Sequence, residues 1–147
     1  MKILVPLDGS RHSAESLRIA AHFVRTAGAQ ACVIHVTPSV SDIDLELTAS
    51  DRDRLLESMK KRGEDILRKG ADSLRSAGAR EVSSVLTTAE STAHEIVAYA
   101  EREKFDLIVI GSKGAGASQR FLLGGTASRV VRHSPCCVYV VKEPCWA

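Results

Sequence analysis

Residues 106–142 read DLIVIGSKGAGASQRFLLGGTASRVVRHSPCCVYVVK, and they carry the strongest structural signal in the chain. An apolar run at 107–110 ends at Gly111, and the pair Gly124 and Gly125 precedes a segment with helical apolar spacing and a valine-rich run. This order predicts a strand, a glycine-rich loop, a helix with its N-cap at Thr126, and a final strand. Glycines let backbone N–H groups approach a polyanion, and the amino end of a helix attracts negative charge. The stretch therefore indicates phosphate binding.

The same unit of strand, turn and helix recurs along the chain. Apolar runs at 3–7, 31–36, 82–87, 107–110 and 138–141 predict five strands, and helical spacing at 14–27, about 51–77, after Ser91 or Thr92, and after Gly125 predicts four helices. Residues 37–50 lack a clear period and are expected to form a rim loop or lid. The alternation predicts an α/β fold with a parallel sheet and helices on both faces.

Ligands of such sheets bind beyond the carboxyl ends of the strands, where the strand order reverses. Two polar or glycine-rich turns follow strand ends here: 8–10 after the first strand and 111–114 after the fourth. We expect both turns to border one cleft.

Gly63 and Gly70 lie on the apolar stripe of the long second helix. Each glycine costs about 1 kcal/mol relative to alanine in a helix interior. We therefore expect the two glycines to allow this helix to approach the sheet closely.

Composition narrows the class of protein. The chain has 147 residues, which predicts a single domain over 1–147, and its net charge of +2 gives no nucleic-acid footprint. The first ten residues lack a signal peptide, no window is long and apolar enough for a membrane span, and the predicted location is the cytoplasm. The four cysteines lack CxxC spacing, so thiols are expected rather than a zinc site.

The glycine spacing Gly111-x2-Gly114-x9-Gly124 is neither a P-loop nor a dinucleotide fingerprint. The alternative is that Gly111 and Gly114 merely turn the chain and Gly124 precedes a helix. Hydrogen-bond donors are dense around them, however, which favours a ligand: Ser112, Lys113, Ser118, Gln119, Arg120 and Thr126.

This spacing, continuing into VVRHSPC and a valine-rich strand, resembles the signature of the universal stress protein family. The opening PLDGSRHSAESLRIA and the pair His35 and Val36 are similar to that family's first strand and helix and to the end of its second strand. The resemblance spans nearly the whole chain. It implies a Rossmann-like fold of the adenine nucleotide alpha hydrolase type with strand order 3-2-1-4-5, a homodimer, and binding of ATP or a related adenine nucleotide.

The resemblance also assigns roles by position. Asp8 would accept a hydrogen bond from the adenine amino group, and the base would pack near Leu7, Val36 and Ile110. The ribose and phosphates would face Gly111, Lys113 and Gly114, and the triphosphate would receive donors from Gly124, Gly125 and Thr126.

One departure from the signature affects the ligand. Gly125 stands where the signature has Ser or Thr. Thr126 could replace the lost hydroxyl; otherwise terminal-phosphate binding would weaken, which leaves AMP, ADP or no nucleotide as ligand.

Asp8 could instead be a Mg²⁺ ligand or a solvated residue that forms the turn. Mg²⁺ could also accompany the nucleotide. His35, at a strand end, could be a base, but a hydrogen-bonded structural histidine is the favoured interpretation.

The last strand, with Val138 first and Lys142 last, is expected to lie at a sheet edge. An open valine-rich edge invites uncontrolled pairing, so an antiparallel second copy would cover it; the tail 143–147 folding back is the alternative. The leading hypothesis is a regulatory, nucleotide-binding homodimer of the stress response with an unidentified protein partner. The alternatives are a slow Mg²⁺-dependent ATPase or phosphotransferase, with Lys113 and Thr126 orienting the terminal phosphate, and a nucleotide-free interaction dimer.

Overall fold

The structure is a computed structural model that describes residues 1–39, 46–114 and 123–142. The strands of the described chain are β1 (Lys2–Pro6), β2 (Gln30–Pro38), β3 (Val82–Ala89), β4 (Leu107–Gly111) and β5 (Cys137–Val141). The helices are α1 (Arg11–Ala27), α2 (Ala49–Ser76), α3 (Thr92–Arg102) and α4 (Gly125–His133). Strands and helices alternate, as predicted.

The five strands form one parallel sheet in the order β3-β2-β1-β4-β5, which confirms the predicted fold class. From β1 the chain first adds strands on one side and then, with β4 and β5, on the other. The reversal therefore lies between β1 and β4. The carboxyl ends of these two strands part there and leave a crevice.

Successive side chains of β1 enter two separate core layers. Ile3 and Val5 pack beneath α1 and α2, and Leu4 packs beneath α3 and α4; all three are fully buried. Burial of such a side chain contributes about 1.5–3 kcal/mol. Because both faces of the sheet are covered, the strands are continuous apolar runs rather than alternating ones.

Side-chain caps fix where three of the helices begin. Ser10 Oγ accepts the N–H of Ser13 at 3.2 Å, and Thr48 and Ser91 cap α2 and α3 in the same way. The fourth helix differs: its N-cap is Gly124, which has no capping side chain, and the predicted N-cap at Thr126 is wrong. Thr126 lies inside the first turn of α4, because the glycine pair itself forms the helix entry.

Gly63 and Gly70 allow α2 to lie directly on the sheet, as predicted. A Cβ built on Gly63 would lie 2.7 Å from Leu86 Cδ1, and one built on Gly70 would overlap Leu7 Cδ1. Both glycines are buried. The close approach offsets the lower helix propensity of glycine.

Several predicted boundaries differ from the structure. Strand β2 continues through Thr37 and Pro38, which pair with Thr88 and Ala89 of β3, so the rim loop predicted from residue 37 begins later. Residues 40–45 of that loop lie outside the described residues. At the other end of the chain, β5 ends at Val141, and Lys142 follows the strand. In the described ranges, no helix has the length and apolar character needed to cross a bilayer.

Candidate functional site

A cleft of about 530 Å³ lies at the carboxyl ends of the strands, at the predicted reversal of strand order. It is bordered by residues from β1, β2 and β4 and from the amino ends of α1, α3 and α4. All ten residues that the sequence predicts for a ligand site line it: Leu7, Asp8, Val36, Ile110, Gly111, Lys113, Gly114, Gly124, Gly125 and Thr126. Their roles in binding stay predictions.

One part of the cleft is apolar. Leu7, Ile34, Val36, Ile96 and Ile110 line it and are all buried. These side chains come from the ends of three neighbouring strands and from α3, so their positions are set by the core rather than by loops. An apolar wall of this kind suits a planar, weakly polar group such as a nucleobase.

Asp8 lies between the two loops that border the crevice. Its Oδ1 accepts the N–H of Ser10 at 2.9 Å, which holds the turn between β1 and α1. The other carboxylate oxygen faces the loop after β4: a Cβ built on Gly114 would lie 2.9 Å from Asp8 Oδ2. An ionised carboxylate only accepts hydrogen bonds, so this edge of the cleft favours a ligand that donates one.

Gly111 and Gly124 are required by close packing. A Cβ on Gly111 would lie 2.9 Å from the backbone carbonyl carbon of His12 in α1, and one on Gly124 would lie 3.1 Å from Ser112 O. The N–H of Gly124 also donates to Ser112 O at 2.6 Å. The loop is therefore held against β4 by backbone contacts that a larger residue would disturb.

Gly125 is different, because no atom of the described residues lies within 4 Å of a Cβ built on it. The residue is exposed and begins α4. Glycine is therefore not required by packing at this position, and the described structure has room for a side chain beside the cleft.

The amino end of α4 borders the cleft with Gly124, Gly125, Thr126 and Ala127. The N–H of Ser128 makes the hydrogen bond to Gly124 O, at 2.9 Å, that begins the helical ladder. The N–H groups of Gly125, Thr126 and Ala127 precede it, at the helix end that carries the positive pole of the dipole. The Gly124 N–H donates to Ser112 O instead, so it is not the phosphate donor that the resemblance implies. Lys113 adds a cation to the same side of the cleft. The arrangement suits an anion such as a phosphate.

His35 borders the cleft as a hydrogen-bonded group, which confirms the favoured interpretation. Its Nδ1 lies 2.7 Å from the carbonyl oxygen of Leu7. Within the described ranges, no group of three or more His, Cys, Asp or Glu side chains is arranged to hold a metal ion. The role of Asp8 as a Mg²⁺ ligand stays an untested alternative.

The sequence analysis did not predict several of the residues that line the cleft: Pro6, Ser13, Ile34, Pro38, Thr92, Ile96 and Ala127. Thr92 is predicted only as a possible start of the third helix. The topology could have indicated the residues of α3. This helix follows β3, so its amino end must lie at the edge of the sheet where the strands have their carboxyl ends. The predicted donors Ser118, Gln119 and Arg120 lie outside the described residues.

The doubly wound sheet and the cleft at its reversal point define an α/β protein of Rossmann-like architecture. The sequence profile of the universal stress protein family matches residues 1–142. The chain belongs to the universal stress protein family.

Individual relatives agree with this assignment. A universal stress protein of Methanocaldococcus jannaschii is 33% identical over 143 residues, covering 97% of this chain and 82% of the relative. The solved structure of UspA from Lactobacillus plantarum is 26% identical, with a TM-score of 0.83 over 96% of this chain and 97% of that one. A universal stress protein from Archaeoglobus fulgidus, solved in complex with dAMP, is 25% identical, with a TM-score of 0.67 over 97% of this chain and 98% of that one.

Proposed function

We propose that this universal stress protein binds ATP or a related adenine nucleotide in the cleft between β1 and β4, and that occupancy regulates its association with a partner protein. The proposal rests on the two parts of the cleft. One part has buried aliphatic side chains and a carboxylate, and the other has glycines and the amino end of a helix. A nucleotide has matching parts in its base and its phosphates. The dAMP found in the Archaeoglobus fulgidus relative supports this class of ligand.

Asp8 would select adenine over guanine. Adenine presents an amino donor at the ring position where guanine presents a carbonyl acceptor. The carboxylate of Asp8 can accept from the first and would repel the second. Charge-assisted hydrogen bonds of this kind contribute about 1.5–3 kcal/mol, so the discrimination would be large.

The phosphates would lie against the loop after β4 and the first turn of α4. Backbone N–H groups at a helix amino end bind anions without a desolvated side-chain charge, and Lys113 would add a cation nearby. The number of phosphates would depend on residue 125, where the family signature carries a hydroxyl and this chain has none.

Gly125→Ser is expected to raise the affinity for ATP about tenfold while leaving that for AMP nearly unchanged, because one hydrogen bond to a charged group is gained. A Cβ at this position meets no atom of the described residues within 4 Å, so the fold should tolerate the change. Calorimetric titration of both nucleotides measures the change. Gly125→Ala is the control for the added carbon; equal ATP affinities for the Ser and Ala variants would contradict a hydroxyl effect.

Identifying the small molecule that copurifies with the protein tests the ligand class directly. Protein purified without added nucleotide is denatured, and the released molecule is identified by mass spectrometry; we expect an adenine nucleotide. A retained molecule without an adenine ring would contradict the proposal.

A slow Mg²⁺-dependent ATPase or phosphotransferase is the second candidate, because Lys113 and Thr126 border the same side of the cleft. Steady release of phosphate over several turnovers, lost in Thr126→Ala, would favour it. If no turnover is detected either with or without Mg²⁺, the regulatory role is favoured.

We further propose that the protein is a homodimer joined through β5. This strand is at the end of the sheet order, so one of its edges has no partner among the described strands. Two large apolar side chains are exposed on these last elements, Tyr139 on β5 at 42% and Val131 on α4 at 46%. An antiparallel second copy would bury this edge.

Tyr139→Lys is expected to weaken the homodimer at least about tenfold, since an edge lysine opposes strand pairing and a charge would be buried in the interface. The Tyr139 ring also packs edge-on against the Phe23 ring, with the ring centroids 6.1 Å apart. Tyr139→Phe keeps this packing and is therefore the control. Sedimentation velocity over a concentration series measures the dissociation constant. A monomeric wild type, or a Lys variant as dimeric as the Phe variant, would contradict this interface.

A further inference from the structure

His35 holds the peptide that carries Asp8 into the cleft. The imidazole Nδ1 lies 2.7 Å from Leu7 O, across a sequence separation of 28 residues. The N–H of the same residue, Leu7, donates to Ile34 O at 2.8 Å. Consecutive residues of β2 therefore bond both polar groups of Leu7, one through its backbone and one through its side chain.

The hydrogen bond defines which ring nitrogen carries the proton. A backbone carbonyl only accepts, so His35 Nδ1 must be the donor. Protonation of the other nitrogen leaves the Nδ1–H in place, and the bond to Leu7 O persists in the neutral and the charged ring. This nitrogen is therefore committed to the backbone and is not available as a general base.

Gly63 of α2 provides the space for the ring. A Cβ built on Gly63 would lie 2.9 Å from His35 Cδ2 and 2.7 Å from Leu86 Cδ1. Gly63 is buried and His35 is half-buried, so α2 bounds the ring on one side. The hydrogen bond to Leu7 O directs the imidazole to the end of β1.

We propose that His35 is a positioning residue for base selectivity: it fixes the Leu7 carbonyl and thereby the direction in which Asp8 enters the cleft. The peptide bond is planar, so an oriented Leu7 carbonyl also orients the nitrogen and the Cα of Asp8. The Asp8 carboxylate is held from its other side by the N–H of Ser10. Base selectivity then depends on a residue that does not need to touch the base. This inference rests on the proposed binding of adenine nucleotides.

The test compares two replacements of His35. His35→Asn keeps an N–H donor close to the position of Nδ1, and His35→Leu removes the donor while keeping an apolar side chain of related size. The ratio of the ATP and GTP dissociation constants is measured by calorimetry for each variant. We expect the preference for ATP over GTP to fall about tenfold in the Leu variant, which is the equivalent of one hydrogen bond. The Asn variant should retain most of the preference. His22→Leu, at an exposed position of α1, is the matched control and should behave as wild type.

A purely structural role would lower the melting temperature of the Leu variant and leave the ratio unchanged, and that result would overturn the inference. A wild type that binds neither nucleotide would overturn the proposed function instead. Gly63→Ala provides an independent route, because the added methyl group would displace the ring, and its ratio should fall in the same direction. The imidazole ¹⁵N spectrum of the wild-type protein needs no variant: a protonated Nδ1 is expected, and a neutral ring protonated only at Nε2 would also overturn the inference.

Discussion

Asp8→Asn is expected to remove the preference for ATP over GTP. In the wild-type protein, Asp8 Oδ1 accepts the Ser10 N–H at 2.9 Å. An asparagine can keep that bond through its carbonyl oxygen, which places its amino group where Asp8 Oδ2 lies. A donor there would oppose the adenine amino group and favour the guanine carbonyl.

The change should lower ATP affinity by about tenfold to a hundredfold, as expected for loss of a charge-assisted hydrogen bond, and raise GTP affinity. Competition of both nucleotides against a fluorescent ATP analogue measures both effects in one experiment. Asp8→Ala is the companion variant: it also loses adenine selectivity, and it leaves the Ser10 N–H without its acceptor, so its melting temperature should fall further. Unchanged ATP affinity in both variants would show that Asp8 does not contact the base.

Gly114→Val is expected to abolish nucleotide binding. A Cβ at this position would lie 2.9 Å from Asp8 Oδ2, so the branched side chain must displace either the carboxylate or the loop. It would also fill the space through which the phosphates approach the backbone. Gly114 is exposed and has no positive φ, so the variant should fold and melt close to the wild type.

Gly125→Ala is the matched control for Gly114→Val. Both changes add a side chain to a glycine that lines the cleft, but a Cβ on Gly125 has no neighbour within 4 Å in the part of the chain that the structure describes. Thermal shift and calorimetry should show normal ATP binding for the Ala variant and none for the Val variant. Wild-type affinity in Gly114→Val would refute the proposed path of the phosphates.

The parallel sheet and the location of the cleft were predictable because they depend on patterns with a short period. Continuous apolar runs separated by helical stripes leave few alternatives to a doubly wound sheet, and strand ends must then share one edge. The strand order itself came from the resemblance of the chain to a known family. Local sequence does not state which strands become neighbours.

The errors concern features that depend on tertiary contacts. Thr126 has the side chain of an N-cap, but the position of α4 is fixed by the backbone bond from Gly124 to Ser112. Pro38 argues against a strand and Thr37 begins a segment without a clear period, yet both are extended because β3 pairs with them. The role of Gly63 in making space for His35 involves residues on two elements, and the apolar stripe alone indicated only a close approach.

The central claim is that the cleft between β1 and β4 binds an adenine nucleotide. Titration of the nucleotide-free wild-type protein with ATP, followed by isothermal calorimetry, tests it most directly. We predict saturable binding of one ATP per chain, with much weaker binding of GTP under the same conditions. Absence of any binding heat or thermal shift with ATP, ADP and AMP would contradict the claim and leave a protein that acts through its surfaces alone.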